Sequence, residues 1–184
     1  MNIATIKKFD IANGPGVRVS LFVSGCRHHC KNCFNKEAWD FNYGIPMTED
    51  IENEILDACK GGHISGLSLL GGEPFEKENR AGLISLTEKF RKRFPEKNIW
   101  CYTGFLLDEE LLKSADSDVL ELLQNIDVLV DGRFVDKLKS ASLLFRGSSN
   151  QRIIDVAETL KQGEVVLLPG KWERTMGSGD IYEA

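Results

Sequence analysis

Four short apolar runs, each ending in a glycine-bearing turn, constrain the fold of this chain more than any other feature. Val17-Arg18-Val19-Ser20-Leu21-Phe22-Val23-Ser24 alternates at first, then becomes continuously apolar and ends at Gly25-Cys26. Residues 64–70 run into Gly71-Gly72-Glu73-Pro74, Asn98-Ile99-Trp100-Cys101-Tyr102 into Thr103-Gly104, and Ile126-Asp127-Val128-Leu129-Val130 into Asp131-Gly132. Runs this short and this apolar suit strands of a mostly buried sheet. Helical patterns separate them. Thr48-Glu49-Asp50 offers a cap and an acidic first turn, with Ile51, Ile55, Leu56 and Cys59 on one face before Gly61-Gly62. Leu83, Leu86, Phe90 and Phe94 mark a second helix closed by Pro95, and a third pattern covers 108–124. Strand and helix in alternation predict a parallel sheet with right-handed crossovers. Further on, Leu143-Leu144-Phe145 enters Arg146-Gly147-Ser148-Ser149-Asn150-Gln151-Arg152, and Val165-Val166-Leu167-Leu168 is expected to be a last strand before Pro169-Gly170. A complete eight-stranded barrel needs about 250 residues, and the chain has 184. The expectation is therefore an α/β fold, an incomplete and open parallel β/α barrel of five or six strands. It forms a single domain over 1–184, in which residues 170–184 are a tail of unassigned role.

In parallel sheets the loops after the strands gather on one face, where ligands bind. Those loops hold every unusual residue of the chain, so a single site is expected there. Composition narrows what the site can serve. Lys and Arg number 23 against 28 Asp and Glu, a net charge of -5. This argues against the broad basic footprint that nucleic acid or an anionic membrane would require. With 42% apolar and 28% charged residues, the chain belongs with globular proteins rather than disordered or fibrous ones. No apolar run approaches a membrane span, and the first ten residues lack the pattern of a signal peptide, so the chain is expected to be cytoplasmic.

The five cysteines, at 26, 30, 33, 59 and 101, are an odd number, and three fall within eight residues. In a reducing compartment such a cluster reads as metal ligands rather than disulfides. The spacing C-x3-C-x2-C leaves two metal readings open. A 4Fe-4S cluster normally takes four cysteines, so three would leave one iron free to bind a ligand. Zinc would instead take Cys26, Cys30, Cys33 and either His28 or His29 in a tetrahedron. Cys59, on a helix face, and Cys101, within a strand, are expected to be small core residues.

Cys26, Cys30 and Cys33 after one strand, with Gly71-Gly72-Glu73-Pro74 after a later one, resemble the radical S-adenosylmethionine superfamily. That resemblance implies a 4Fe-4S cluster on the three cysteines, with the amino and carboxylate groups of S-adenosyl-L-methionine on the fourth iron. It also implies that Gly71, Gly72 and Glu73 bind the amino group. Glycines allow close backbone approach and a carboxylate accepts hydrogen bonds from ammonium, which suits that role. Within the superfamily the chain is most similar to the activators of the anaerobic, class III ribonucleoside-triphosphate reductase. The similarity rests on Asp10, Gly14-Pro15-Gly16-Val17-Arg18, the stretch Phe22-Val23-Ser24-Gly25-Cys26, and Cys30-Lys31-Asn32-Cys33-Phe34-Asn35. It extends through Trp39, Tyr102-Thr103-Gly104, Asp131-Gly132-Arg133-Phe134 and residues 146–152.

Such enzymes cleave S-adenosylmethionine reductively and use the 5'-deoxyadenosyl radical to remove hydrogen from a glycine of the reductase, so the reductase is the implied protein partner. Many members have an aromatic residue before the third cysteine; here Asn32 stands there and Phe34 follows the cysteine, and either could face adenine. Thr103, Asp131 and Arg146 complete the expected cofactor contacts. No G-x-G-x-x-G follows a strand, so the electron is expected from a flavodoxin-like donor, with Arg27, Lys31 and Lys36 as the docking cations. Arg18 is expected to pair with Asp10. Three rivals remain at this point: an activator of the pyruvate formate-lyase type, a radical enzyme acting on a small molecule, and a zinc-binding interaction module.

Overall fold

The four apolar runs all form strands, and their pairing fixes where the site lies. In this computed structural model, residues 1–172 are described. The elements run β1 (Asn2–Asp10), β2 (Val17–Val23), β3 (Ile45–Pro46), α1 (Glu49–Ala58), β4 (Ile64–Gly71), α2 (Lys77–Arg93) and β5 (Asn98–Tyr102). They continue with α3 (Ser117–Gln124), β6 (Val128–Asp131), β7 (Arg152–Asp155) and α4 (Val156–Gln162). One seven-stranded sheet has the order β3-β1-β2-β4-β5-β6-β7. The predicted runs are its centre: β2, β4, β5 and β6 pair in parallel. Their C-terminal ends lie side by side, with Val23 opposite Gly71 and Tyr102 opposite Val130.

The flanks differ from the expected all-parallel sheet. β1 pairs antiparallel with β2 on one side, and β7 pairs antiparallel with β6 on the other. β1 shows no apolar alternation because one side of it lies near the sheet edge, where Thr5, Lys7, Lys8 and Phe9 are exposed. β7 runs antiparallel because no helix intervenes after β6. Residues 132–151 contain only the single 3-10 turn Asp136–Leu138, and a parallel return requires a crossover, usually helical. The apolar run at 143–145 is irregular, and the expected last strand at 165–168 contributes one isolated bridge, Leu167 to Ile154. The helical pattern at 108–124 divides into a π-type turn, Leu107–Leu111, and α3. Asp116 occupies the N-cap position of α3 without a capping bond, its carboxylate accepting instead a 2.9 Å bond from Arg80 of α2.

Strand periodicity sends alternate residues to opposite faces. Val19, Leu21, Leu67, Leu69, Ile99, Cys101 and Leu129 join the helix residues Ile55, Leu83, Phe90 and Leu122 in the main core. α1 forms as its sequence predicts: Thr48 Oγ1 accepts from the Ile51 N–H at 3.3 Å, and Cys59 caps the other end. Cys59 and Cys101 are both fully buried, as expected of core residues. On the opposite face Trp100, Val128, Val130 and Ile153 form a second cluster with Tyr102, Phe145, Leu168 and Trp172. Trp100, Phe145 and Trp172 meet edge to face, with centroids 5.7 to 6.1 Å apart. Gly170, Lys171 and Trp172 begin the expected tail, and Trp172 is part of a packed face; residues 173–184 lie outside the described residues.

Arg18 projects to this second face and is wholly buried. It does not pair with Asp10, although the two residues are opposite in the β1/β2 register. Asp10 accepts instead from Ala12 N–H and Asn13 Nδ2. Arg18 donates to Ser68 Oγ at 2.7 Å, Asn98 Oδ1 at 2.8 Å, Leu67 O at 2.8 Å and Asn98 O at 3.1 Å. One cation thus ties β2, β4 and β5 together beneath the site. Burial pulls its pKa down to about 10, the expected direction for a cation removed from water.

Candidate functional site

The ends of β2, β4, β5 and β6 open into a cavity of about 380 Å³. Its size falls within the range of small-molecule sites. Backbone hydrogen bonds build one wall from two loops. The N–H groups of Gly72 and Glu73 donate to Val23 O at 2.7 Å and Gly25 O at 2.8 Å, while Gly25 N–H donates to Ala38 O at 2.8 Å. Gly71 and Gly72 are required here by chain packing. Gly71 has φ +112°, and a Cβ there would stand 2.7 Å from the β2 backbone. At Gly72 a Cβ would stand 2.5 Å from Gly25 O. Both distances are far inside van der Waals contact, so only glycine lets the turn lie against the cysteine loop.

Cys26, Cys30 and Cys33 all line the cavity, and all three thiols are free. Burial pushes the Cys26 thiol up to about 11, with the nearby Glu73 carboxylate adding to the effect, and burial raises Cys30 as well. Unliganded, Cys26 and Cys30 are thereby held as neutral thiols, whose protons a metal would displace. Cys33 is positioned by its own N–H on Cys30 O at 3.1 Å, and its sulfur accepts from Asn35 N–H at 3.4 Å.

The flanking residues anchor the loop. Arg27 N–H donates to Glu76 Oε1 at 2.8 Å, and its guanidinium pairs with Glu76 and Glu78 while covering the Phe41 ring at 4.3 Å. Asn79 Nδ2 bridges Ser24 O and Glu73 O at 3.0 and 2.9 Å. His29, at φ +49°, stacks on Trp39 with centroids 4.5 Å apart. His28 Nε2 lies 2.9 Å from Glu73 Oε2. His28 lines the same cavity as the three cysteines while its Nε2 is engaged by Glu73.

Among the described residues no three His, Cys, Asp or Glu side chains converge on a point that could hold a metal ion. A tetrahedral zinc needs such convergence, with every donor about 2.0–2.3 Å from one ion. A cubane does not, because each thiolate binds a different iron. Three free thiols around one cavity, with both histidines engaged elsewhere, therefore fit a 4Fe-4S cluster held by Cys26, Cys30 and Cys33.

The remaining expected contacts separate into two groups. Phe34, Gly71, Gly72, Glu73, Thr103 and Arg146 line the cavity; Asn32 and Asp131 do not. Asn32, at φ +57°, turns outward to donate to Asp136 at 3.0 Å, whereas Phe34 stands at the wall 85% exposed. Asp131 is fully buried, and its carboxylate is occupied by Arg152 and by the Leu107 N–H at 2.9 Å. Much of the donor-rich run 146–152 is consumed in its own fold. Gln151 Oε1 accepts from Gly147 and Ser148 N–H, Asn150 binds Arg133 O, and Ser148 Oγ accepts from Val135 N–H. Arg146 donates to Gln151 O at 3.0 Å. Sequence reasoning did not place Asn13, Phe134, Leu143 and Phe145 on the cavity wall. The turn signal Gly14-Pro15-Gly16 hinted only at the first.

The chain matches the family described as "4Fe-4S single cluster domain" over residues 12–154. A protein of Escherichia coli (strain K12) named "Anaerobic ribonucleoside-triphosphate reductase-activating protein" is 44% identical over 153 residues, covering 82% of this chain and 96% of that protein. Proteins with the same name from Pasteurella multocida (strain Pm70) and Enterobacteria phage T4 are 42% and 39% identical, each over 83% of this chain and over 96% and 93% of their own lengths. With most of both chains aligned and the cysteine-lined cavity inside the matched span, the chain belongs to the 4Fe-4S single cluster domain family and, within it, to the anaerobic ribonucleoside-triphosphate reductase-activating proteins.

Proposed function

We propose that this chain is the activating enzyme of an anaerobic ribonucleoside-triphosphate reductase, a radical S-adenosylmethionine oxidoreductase. The observation that carries the reading is the placement of three free thiols and the Gly71-Gly72-Glu73-Pro74 turn around one cavity. The cluster and S-adenosylmethionine together supply one-electron cleavage of the sulfonium and a 5'-deoxyadenosyl radical that removes hydrogen from a glycine of the reductase. The protein's task is to position those groups and exclude competing reactions. Cys26, Cys30 and Cys33 hold the cluster. Phe34, exposed at the wall, offers its ring to adenine in preference to Asn32, whose side chain is engaged by Asp136. The Gly71-Gly72 turn shapes the wall against which the methionine end lies.

In this reading the sheet is an open barrel of the radical S-adenosylmethionine type in one domain. Its ends, β3 and β7, do not pair with each other. The gap admits the partner's glycine-bearing loop, and glycine suits the reaction because its unencumbered α-carbon lies between an amide nitrogen and a carbonyl. The electron comes from a flavodoxin-like donor. Arg27 is committed to Glu76 and Glu78, so Lys31 and Lys36, both exposed, are the cations left to meet an acidic donor. Five free cysteines suit the reducing cytoplasm, and among the described residues no helix is long and apolar enough to cross a membrane.

The test is anaerobic. The protein is reconstituted with iron and sulfide, reduced, and mixed with S-adenosylmethionine and the reductase, and the electron paramagnetic resonance spectrum is recorded with 5'-deoxyadenosine formation. A glycyl-radical doublet on the reductase is expected. Deoxyadenosine without that doublet would refute the partner, and a colourless protein without deoxyadenosine would refute the cluster.

A further inference from the structure

The Glu73 carboxylate is saturated. Oε1 accepts from Phe75 N–H at 2.9 Å and Thr103 Oγ1–H at 2.8 Å, and Oε2 accepts from Gly104 N–H at 2.7 Å and shares a 2.9 Å bond with His28 Nε2. Four donors match the roughly four lone-pair sites of a carboxylate, and Glu73 is only 1% exposed. Three of the donors belong to the turn after β4 or the loop after β5. His28 is the exception: it lies inside the C-x3-C segment, so its bond is the side-chain link between the cysteine loop and this carboxylate. The ring is itself held, its edge on Phe105 with centroids 4.5 Å apart. It also fills the space above Gly104, where a Cβ would stand 2.4 Å from the imidazole.

We infer that His28 is a positioning residue: its Nε2–H braces Glu73, locking the cysteine loop to the 71–74 and 103–104 loops so that the cluster and the cofactor's methionine end are held in one fixed geometry. Glu73 then acts through this brace, and the cofactor's ammonium is left to carbonyl groups of the turn. The inference rests on the proposed S-adenosylmethionine site and deepens it.

The experiment compares wild type with His28→Phe, which keeps a ring against Phe105 but lacks the N–H, and His28→Gln, whose amide can donate to Glu73. Each protein is reconstituted anaerobically, its iron per chain is counted, and S-adenosylmethionine affinity is measured by equilibrium binding with the cluster oxidised, so no turnover occurs. Expected are unchanged iron content, a roughly tenfold loss of affinity in His28→Phe, the factor that about 1.4 kcal/mol produces, and recovery to within about threefold in His28→Gln. Affinity unchanged or tightened in His28→Phe would overturn the brace; tightening would mean that His28 occupies the place of the ammonium. Loss of iron in step with affinity, or no recovery with Gln, would also overturn it. Failure of the wild type to bind S-adenosylmethionine would instead overturn the proposed function, and the two failures are thereby distinct.

Discussion

Replacing Arg18 by Met should cost this protein a large part of its stability although Arg18 touches neither a thiol nor the glycine turn. Methionine fills a comparable volume and removes the burial cost of the cation, but it cannot donate. Asn98 Oδ1, Asn98 O and Leu67 O lose their donors at 2.8, 3.1 and 2.8 Å. Ser68 Oγ keeps its own 2.6 Å bond to Asn13 O and loses only an incoming bond. Three acceptors, one buried and two part-buried, left without a charged donor at about 1–3 kcal/mol each, with part returned by relief of desolvation, give a loss of about 3–5 kcal/mol. That is a fifth or more of the total stability typical of a domain, about 5–15 kcal/mol. Urea unfolding of the anaerobically reconstituted protein, followed by Trp fluorescence, reads the change directly; Trp100 lies 5.8 Å from the guanidinium. With a slope of about 2 kcal/mol per molar urea, the midpoint should fall by about 1.5–2.5 M. Arg18→Lys should recover less than half of this, because one ammonium cannot span the acceptors of β4 and β5. A midpoint within about 0.5 M of wild type for Arg18→Met would refute the argument that this network, rather than apolar packing alone, fastens the three strands.

Other outcomes follow from the site. Cys30→Ala leaves two thiolates on the cavity, so cluster content and deoxyadenosine formation should both fall to background; normal product formation would remove the cysteines from the chemistry. Gly71→Ala must place a Cβ 2.7 Å from the β2 backbone at φ +112°. It should cost about 2 kcal/mol or more of stability, seen as a lower unfolding midpoint, whereas Gly62→Ala, with open space around it, should be near neutral. The Arg27 clamp sets a pH dependence. Its hydrogen bond holds the Glu78 carboxyl down at about 2, below the value near 4.3 of an unfolded chain. The contribution is therefore fully present above about pH 5 and is lost as pH falls toward 2. Both groups are exposed, so the effect is small, but the gap between the thermal midpoints of wild type and Glu78→Gln should narrow as pH drops from about 5 toward 2. A gap independent of pH would show that the pair contributes nothing.

Much of this protein was legible in order along the chain. The four central strands, the helices α1 and α2, and the gathering of glycine-bearing turns at one end follow from local pattern, because burial on both faces leaves an unbroken apolar signal. The C-x3-C-x2-C spacing and the Gly71-Gly72-Glu73-Pro74 turn likewise pointed to residues that meet at one cavity, because ligands of one centre must be close in the chain or meet at neighbouring strand ends. The antiparallel flanks were not legible. β1 carries charge on its exposed side, and the direction of β7 depends on the route of residues 132–151 rather than on any residue within the strand.

The fate of individual polar groups belongs wholly to the tertiary structure. Asp10 and Arg18 lie opposite in register, yet the cation reaches three strands and leaves the carboxylate to its own turn. Asp131 carries the same motif signal as Thr103, but Arg152 claims it. His28 resembled a metal ligand by spacing and instead faces Glu73. The physical reason is common to all three: sequence determines which donors and acceptors a loop contains, while a buried polar group must find a partner in three dimensions, and that partner is chosen by elements distant in the chain.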